Sequence, residues 1–295
     1  MNTSRRIRKG ARRRVRTRTA LFLYYISLAG LLGVSLLSRM AAPGLSVWLG
    51  AAGALVCFAL PAYLGLSVLD GDQRQLLKNR RLSGAQALWL SASGALLICP
   101  ATLLGDIGAA FYAMIGVAVP AAQGSAPLSL LLPMLLASGV LAPACEEVFF
   151  RGYLYGVFAR RGEGEAALLT ALLFAAAHGT DGMLTYFLLG LLFAAVCLHT
   201  GSVLAPLMLH MAYNVTLIVL SATPAAWLFT GLSPLSAIVR LCGCAALFYT
   251  MQRVWRARGT RQEDAIRFTA RDLALPAVAA ALVILVQVLS GVMGR

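Results

Sequence analysis

The sequence predicts an all-α protein, a polytopic transmembrane helical bundle of about eight to ten spans. Composition is the first reason: 60% of the 295 residues are apolar, 12% are charged and the mean hydropathy is +0.80. Soluble domains carry about 25% charged residues. Run length is the second, because several apolar stretches approach the roughly 20 residues that take a helix across hydrocarbon about 30 Å thick. The third is where the net charge of +14 sits. Its basic residues gather at the ends of apolar runs, in residues 1–19, 74–81 and 253–271. Such clusters mark cytoplasmic loops and suit anionic lipid headgroups. No aromatic-interleaved basic domain accompanies them, so nucleic acid is not an expected partner.

Taken in order, residues 1–19 form a basic cytoplasmic tail that includes SRRIRKGARRRVRTRT. The apolar run behind it, Ala20 to Leu37, is longer than the roughly 7–15 residues of a signal peptide, so it is expected to stay as the first span, 20–38. Further spans are expected at 45–69, 87–105, 127–150, 166–181, 183–199, 203–221, 227–250 and 274–293. With the N-terminus inside, this odd count puts every long basic loop on the cytoplasmic side, including Arg160 and Arg161. Arg39, Asp106 and Asp181 fall to sparse outer loops. Segment 107–124, with Pro120 and Gly124, reads as a further short span or an outer interfacial helix. No linker or repeat divides the chain, so residues 20–295 form one transmembrane domain in the cell (inner) membrane, with a motif-bearing core at 128–220. The six cysteines lie in apolar runs, where thiols act as small hydrophobes. Cys242 and Cys244 lack a second pair or a nearby histidine, so neither a disulfide framework nor a metal role is expected there.

The costly residues are those inside the spans. ACEEVFFRG, 144–152, sets Glu146, Glu147 and Arg151 in an apolar run, where a charge costs roughly 2.5–3.5 kcal/mol unless it is paired or faces a hydrated cavity. Glu147 and Arg151 are one helical turn apart with the acid first, the favourable order for an ion pair. Glu146 points about 100° away around the helix and is left for something else. All three histidines, His178, His199 and His210, follow within residues 178–210. Phe174 lies one turn before His178 and Asn214 one turn after His210. His199 precedes the turn HTGS and is expected at a membrane surface. Tyr153, Tyr155 and Tyr213 read as packing or interface aromatics, and Thr180 with Asp181 as a loop cap near His178.

EEVFFR (146–151), FAAAH (174–178) and HMAYN (210–214) resemble the EExxxR, FxxxH and HxxxN motifs of the CAAX prenyl protease 2 family, also called the CPBP or Abi family of intramembrane metalloproteases. The resemblance covers roughly residues 128–220 and implies an intramembrane endopeptidase acting on a membrane-associated peptide or protein, in eukaryotes a prenylated CaaX protein. It makes Glu146 the general base that polarises a water with help from His178, and His210 with Asn214 the stabilisers of the oxyanion. Glu147, Arg151 and Phe174 become supporting residues, the first two orienting Glu146. Glu146, His178 and His210 also supply three ligands of the kind a catalytic zinc takes. HExxH is absent, and a Glu/His pair activating water without metal suits the same residues. No organic cofactor is expected, and nothing in the sequence fixes an oligomeric state. Two other classes fit parts of the pattern. A non-catalytic immunity or scaffold protein could use the same fold. A proton-coupled transporter would show related halves, whereas here the polar residues fall in one central third.

Overall fold

The computed structural model describes residues 2–67, 80–114, 127–160, 162–179, 182–229 and 233–256. These residues are helical, with no strand among them. The helices are α1 (Asn2–Met40), α2 (Pro43–Ser67), α3 (Gly84–Leu96), α4 (Ile98–Met114) and α5 (Leu128–Phe158). They continue with α6 (Glu163–Ala177), α7 (Met183–Thr200), α8 (Leu204–Ser221) and α9 (Pro234–Arg256). Seven stretches among the described residues are long and apolar enough to cross a membrane. The chain is an integral membrane protein.

Most spans sit where the apolar runs placed them, and the departures have local causes. Helix α1 begins at Asn2, so the basic segment continues the first span as helix. Helices α3 and α4 together reach Met114 with only Leu97 between them, taking up the start of segment 107–124. Asp106, assigned to a loop, is therefore helical, and a partner tolerates it there: Arg240 Nη1 of α9 lies 2.6 Å from Asp106 Oδ2. The span expected to begin at 227 begins at Pro234, behind a short 3₁₀ turn, Pro224–Phe229. The span expected at 166–181 is the 15-residue α6, about 22 Å of rise. Thr180, Asp181 and the 274–293 span lie outside the described residues.

Several ends and bends follow from sequence. Ser83 caps α3 by accepting from Gln86 N (3.2 Å) while Gln86 Oε1 accepts from Ser83 N (3.0 Å), a reciprocal capping box. Helix α7 ends on Gly201 at φ +66°, the left-handed position that glycine takes without strain. Pro61 and Pro143 lie inside α2 and α5. Each removes an N–H from the helical ladder, and each follows a π-widened stretch, Leu55–Ala59 or Leu135–Leu141. A third widened stretch, Val148–Leu154, contains Arg151. Widened turns of this kind recur at functional sites.

Packing puts α5 at the centre. Helix α6 lies along α7, α8 along α3, and α5 touches α2 and α8. Phe149, Phe150, Tyr153 and Leu154 of α5 are fully buried, as are Phe174 of α6 and Phe193 of α7. Tyr24 ties α1 to this core by donating to Leu173 O (2.9 Å). Ser93 donates to Thr250 Oγ1 (2.9 Å), joining α3 to α9. Small residues allow close approach, as expected where apolar lipid gives helices little reason to associate. A Cβ added at Gly94 would overlap the Leu209 carbonyl of α8.

Candidate active site

The residues that EEVFFR, FAAAH and HMAYN carry come from α5, α6 and α8, and the fold brings their reactive ends together. Glu146 Oε2 lies 3.6 Å from His178 Nε2 and 3.9 Å from His210 Nε2. It is buried and has no direct hydrogen-bond partner among the described residues. Polar contacts slightly beyond hydrogen-bond length are the spacing that a bridging water fills.

The two imidazoles are held differently. His178 sits at the C-terminal end of α6, just before Gly179, whose φ of +88° turns the chain away. Its Nδ1–H donates to Phe174 O one turn earlier, at 2.8 Å. A carbonyl can only accept, so the neutral ring presents an Nε2 lone pair to Glu146. His210 is anchored by a carboxylate: its Nδ1–H donates to Glu147 Oε1 at 2.9 Å. With Nδ1 committed in this way, a proton on Nε2 makes the ring an imidazolium, beside the carboxylate that balances it.

Glu147 thus accepts from two donors at one oxygen, because Arg151 Nη1 donates to the same Oε1 at 2.8 Å. The one-turn pair expected from sequence is present and fully buried. Its second contact differs from the expectation: Glu147 grips His210, whereas the sequence reading had it orient Glu146. The cause is the helix surface, on which adjacent residues point in different directions. Arg151 Nη2 donates to Gly190 O of α7 at 3.1 Å. Its guanidinium also lies 4.5 Å from the Phe174 ring centre and 5.3 Å from that of Phe193. Phe174 is a hub, also meeting His178 at 4.3 Å and His210 at 5.8 Å between ring centres.

Asn214 is half-buried one turn beyond His210, and its Nδ2 donates to Ser138 O at 2.9 Å. That carbonyl belongs to the widened stretch Leu135–Leu141. One amide N–H is therefore spent on joining α8 to α5, and the other stays available.

Sequence reasoning missed two residues. Tyr186 stacks on His178 with ring centres 4.2 Å apart, and Phe193 lies 4.8 Å from His210. Both belong to α7, seven positions apart and so on one face, but nothing in an apolar run distinguishes them from lipid-facing aromatics. His199, outside the cluster, stacks on Trp255 with ring centres 4.8 Å apart.

A zinc ion would need Glu146, His178 and His210 to close on one point. The donor types suit it, and both Nδ1 atoms are tied as outer nitrogens of metal-bound histidines commonly are. As the side chains stand, no group of three or more His, Cys, Asp or Glu among the described residues is placed to hold a metal ion.

Residues 128–216 match the type II CAAX prenyl endopeptidase Rce1-like family. An uncharacterized 24.3 kDa protein of Escherichia coli is 40% identical over 84 residues, which cover 26% of this chain and 39% of that protein. The chain thus spans about two fifths of the length of that curated relative. No solved structure matches. The seven motif residues, Glu146, Glu147, Arg151, Phe174, His178, His210 and Asn214, all lie inside the segment that is similar to that family, which is somewhat under a third of the chain.

Proposed function

We propose that the protein is an intramembrane endopeptidase that hydrolyses a peptide bond of a membrane-associated protein, with prenylated CaaX-type chains the first substrate class to test. One observation carries the reading: a buried, unpartnered carboxylate oxygen of Glu146 faces two imidazole Nε2 atoms at 3.6 and 3.9 Å. A lone acid in lipid has no stabilising role to justify its cost, whereas this spacing suits a water held for attack.

In this reading Glu146 accepts a proton from the water as its oxygen bonds to the scissile carbonyl carbon. The carbonyl π pair moves onto its oxygen, where His210 Nε2–H and the uncommitted Asn214 N–H are the assigned donors. Glu147 balances the charge on His210, and pre-set donors of this kind contribute about 2.7–4 kcal/mol each. Collapse of the intermediate breaks the C–N bond, and the proton held by Glu146 passes to the leaving nitrogen. His178, with its Nε2 lone pair toward Glu146, orients the water. No step is routed through a metal ion.

The basic loops are assigned to the cytoplasmic side of the cell membrane, against anionic headgroups. The deciding experiment incubates purified protein in detergent or liposomes with a quenched fluorogenic farnesylated CaaX peptide. Cleavage by the native chain and none by Glu146→Gln, at equal folded yield, is the expected result. Equal cleavage by both would remove Glu146 from the chemistry, and no cleavage by either, with an intact cellular phenotype for Glu146→Gln, would point to a scaffold.

A further inference from the structure

Helix α7 carries none of the three motifs, yet both imidazoles rest on it. The contact with His178 is the more telling. One hydrogen bond, Nδ1–H to Phe174 O, fixes a point on that ring. It does not fix the ring plane, because the terminal torsion of a histidine is broad. Unless the plane is fixed, Nε2 swings off the Glu146 axis.

We propose that Tyr186 is the positioning residue that sets this plane. Its ring stacks on the imidazole at 4.2 Å between centres and 26° between planes. Phe174 meets the same imidazole from a different side, since the centres of the Phe174 and Tyr186 rings are themselves 6.5 Å apart. The two rings and the Phe174 carbonyl leave the imidazole one orientation, with Nε2 toward Glu146.

Tyr186 is itself seated by the chain beneath it. Its N–H donates to Gly182 O at 2.8 Å in the first turn of α7. A Cβ at Gly182 would come 2.8 Å from Tyr186 Cε2, so the ring occupies the place a side chain at 182 would take. The φ of Gly182 is −136°, open to any residue. Steric room for the Tyr186 ring is thus the reason for glycine there. The groups that face His178 are Glu146 and Arg151 from α5, His210 from α8 and Tyr186 from α7. Of these, Tyr186 supplies the flat surface.

This inference rests on the hydrolase reading for its kinetic arm and on geometry alone for its spectroscopic arm. The chain has three histidines, so full-length protein labelled with ¹³C-histidine gives three ring signals, assigned with His178→Gln, His199→Gln and His210→Gln. The His178 signal is expected at a ring-current-shifted position in the native chain and in Tyr186→Phe, moving toward free imidazole in Tyr186→Leu. Gly182→Ala, which displaces the tyrosine without removing it, should move the signal the same way. With the farnesylated peptide, Tyr186→Leu should lower kcat roughly ten- to hundredfold while KM stays within about twofold, and Tyr186→Phe should restore it. An unmoved His178 signal in Tyr186→Leu overturns the proposal, as does a Tyr186→Phe variant that behaves like leucine. If the native chain leaves the peptide intact, the hydrolase reading fails, and the histidine signals still decide the role of Tyr186.

Discussion

Replacing Arg151 by methionine tests how the site is held together. The substitution keeps length and apolar bulk, and it deletes the donors to Glu147 Oε1 (2.8 Å) and Gly190 O (3.1 Å). Charge-assisted hydrogen bonds contribute about 1.5–3 kcal/mol each, and the guanidinium facing Phe174 at 4.5 Å adds about 1–2 kcal/mol in a desolvated place. The gross loss is offset because a guanidinium need no longer be taken out of water. What dominates is Glu147, left as a fully buried carboxylate with His210 alone. Breaking a buried pair from one side costs about 3–5 kcal/mol. A chain unfolded within the membrane also finds partners for its polar groups, which favours the lower end, about 3 kcal/mol. Reversible unfolding in mixed micelles with increasing SDS reads this directly. The double variant Glu147→Gln/Arg151→Met should lose less than Arg151→Met alone, because no uncompensated charge remains. An Arg151→Met protein within about 1 kcal/mol of native, or a double variant whose loss is the sum of the single losses, would refute the reasoning.

The other expectations concern chemistry and packing. Glu146→Gln should reduce peptide hydrolysis by roughly 10²–10⁴-fold with no change in SDS unfolding, since its Oε2 has no hydrogen-bond partner to lose. Asn214→Ala removes the link to Ser138 O. It should cost about 1 kcal/mol of stability in the same titration, and lower kcat more than KM. Dialysis against 1,10-phenanthroline should leave turnover within about twofold of untreated protein; a loss that zinc alone restores would bring a metal into the mechanism. Gly94→Ala forces α3 away from the Leu209 carbonyl beside His210. It should destabilise by about 1–3 kcal/mol and slow hydrolysis, and unchanged stability would show that α8 can shift freely.

The members of the site were legible in the sequence because polar residues are conspicuous where polarity is expensive. Glu146, Glu147, Arg151 and the histidines stood out against apolar runs, and the one-turn spacing of Glu147 and Arg151 gave their pairing. Periodicity reads along one helix, so contacts between helices stayed hidden. The hydrogen bond from His210 to Glu147 spans 63 positions and the Arg240–Asp106 pair spans 134. Asp106 was read as a loop residue because a carboxylate in an apolar helix makes sense only once its partner is known. Tyr186 and Phe193 were invisible for the opposite reason, since an aromatic side chain in an apolar run breaks no rule. Span lengths were blurred where α3 and α4 join, because Leu97 interrupts the helix without any polar residue to mark it.

Three polar side chains of the cluster end on main-chain oxygens: His178 on Phe174 O, Arg151 on Gly190 O and Asn214 on Ser138 O. A peptide carbonyl survives almost any change of the residue that bears it. The identity of residue 138 can therefore drift, within steric limits, without erasing the acceptor beneath Asn214, whereas Gly190 is held by packing, since a Cβ there would come 3.0 Å from Ala171 Cα. What such a design cannot tolerate is a shift in the path of the chain. Insertions, deletions or prolines in α5 and α7 should harm this protein far more than substitution of a residue that lends the site only its carbonyl, such as Ser138.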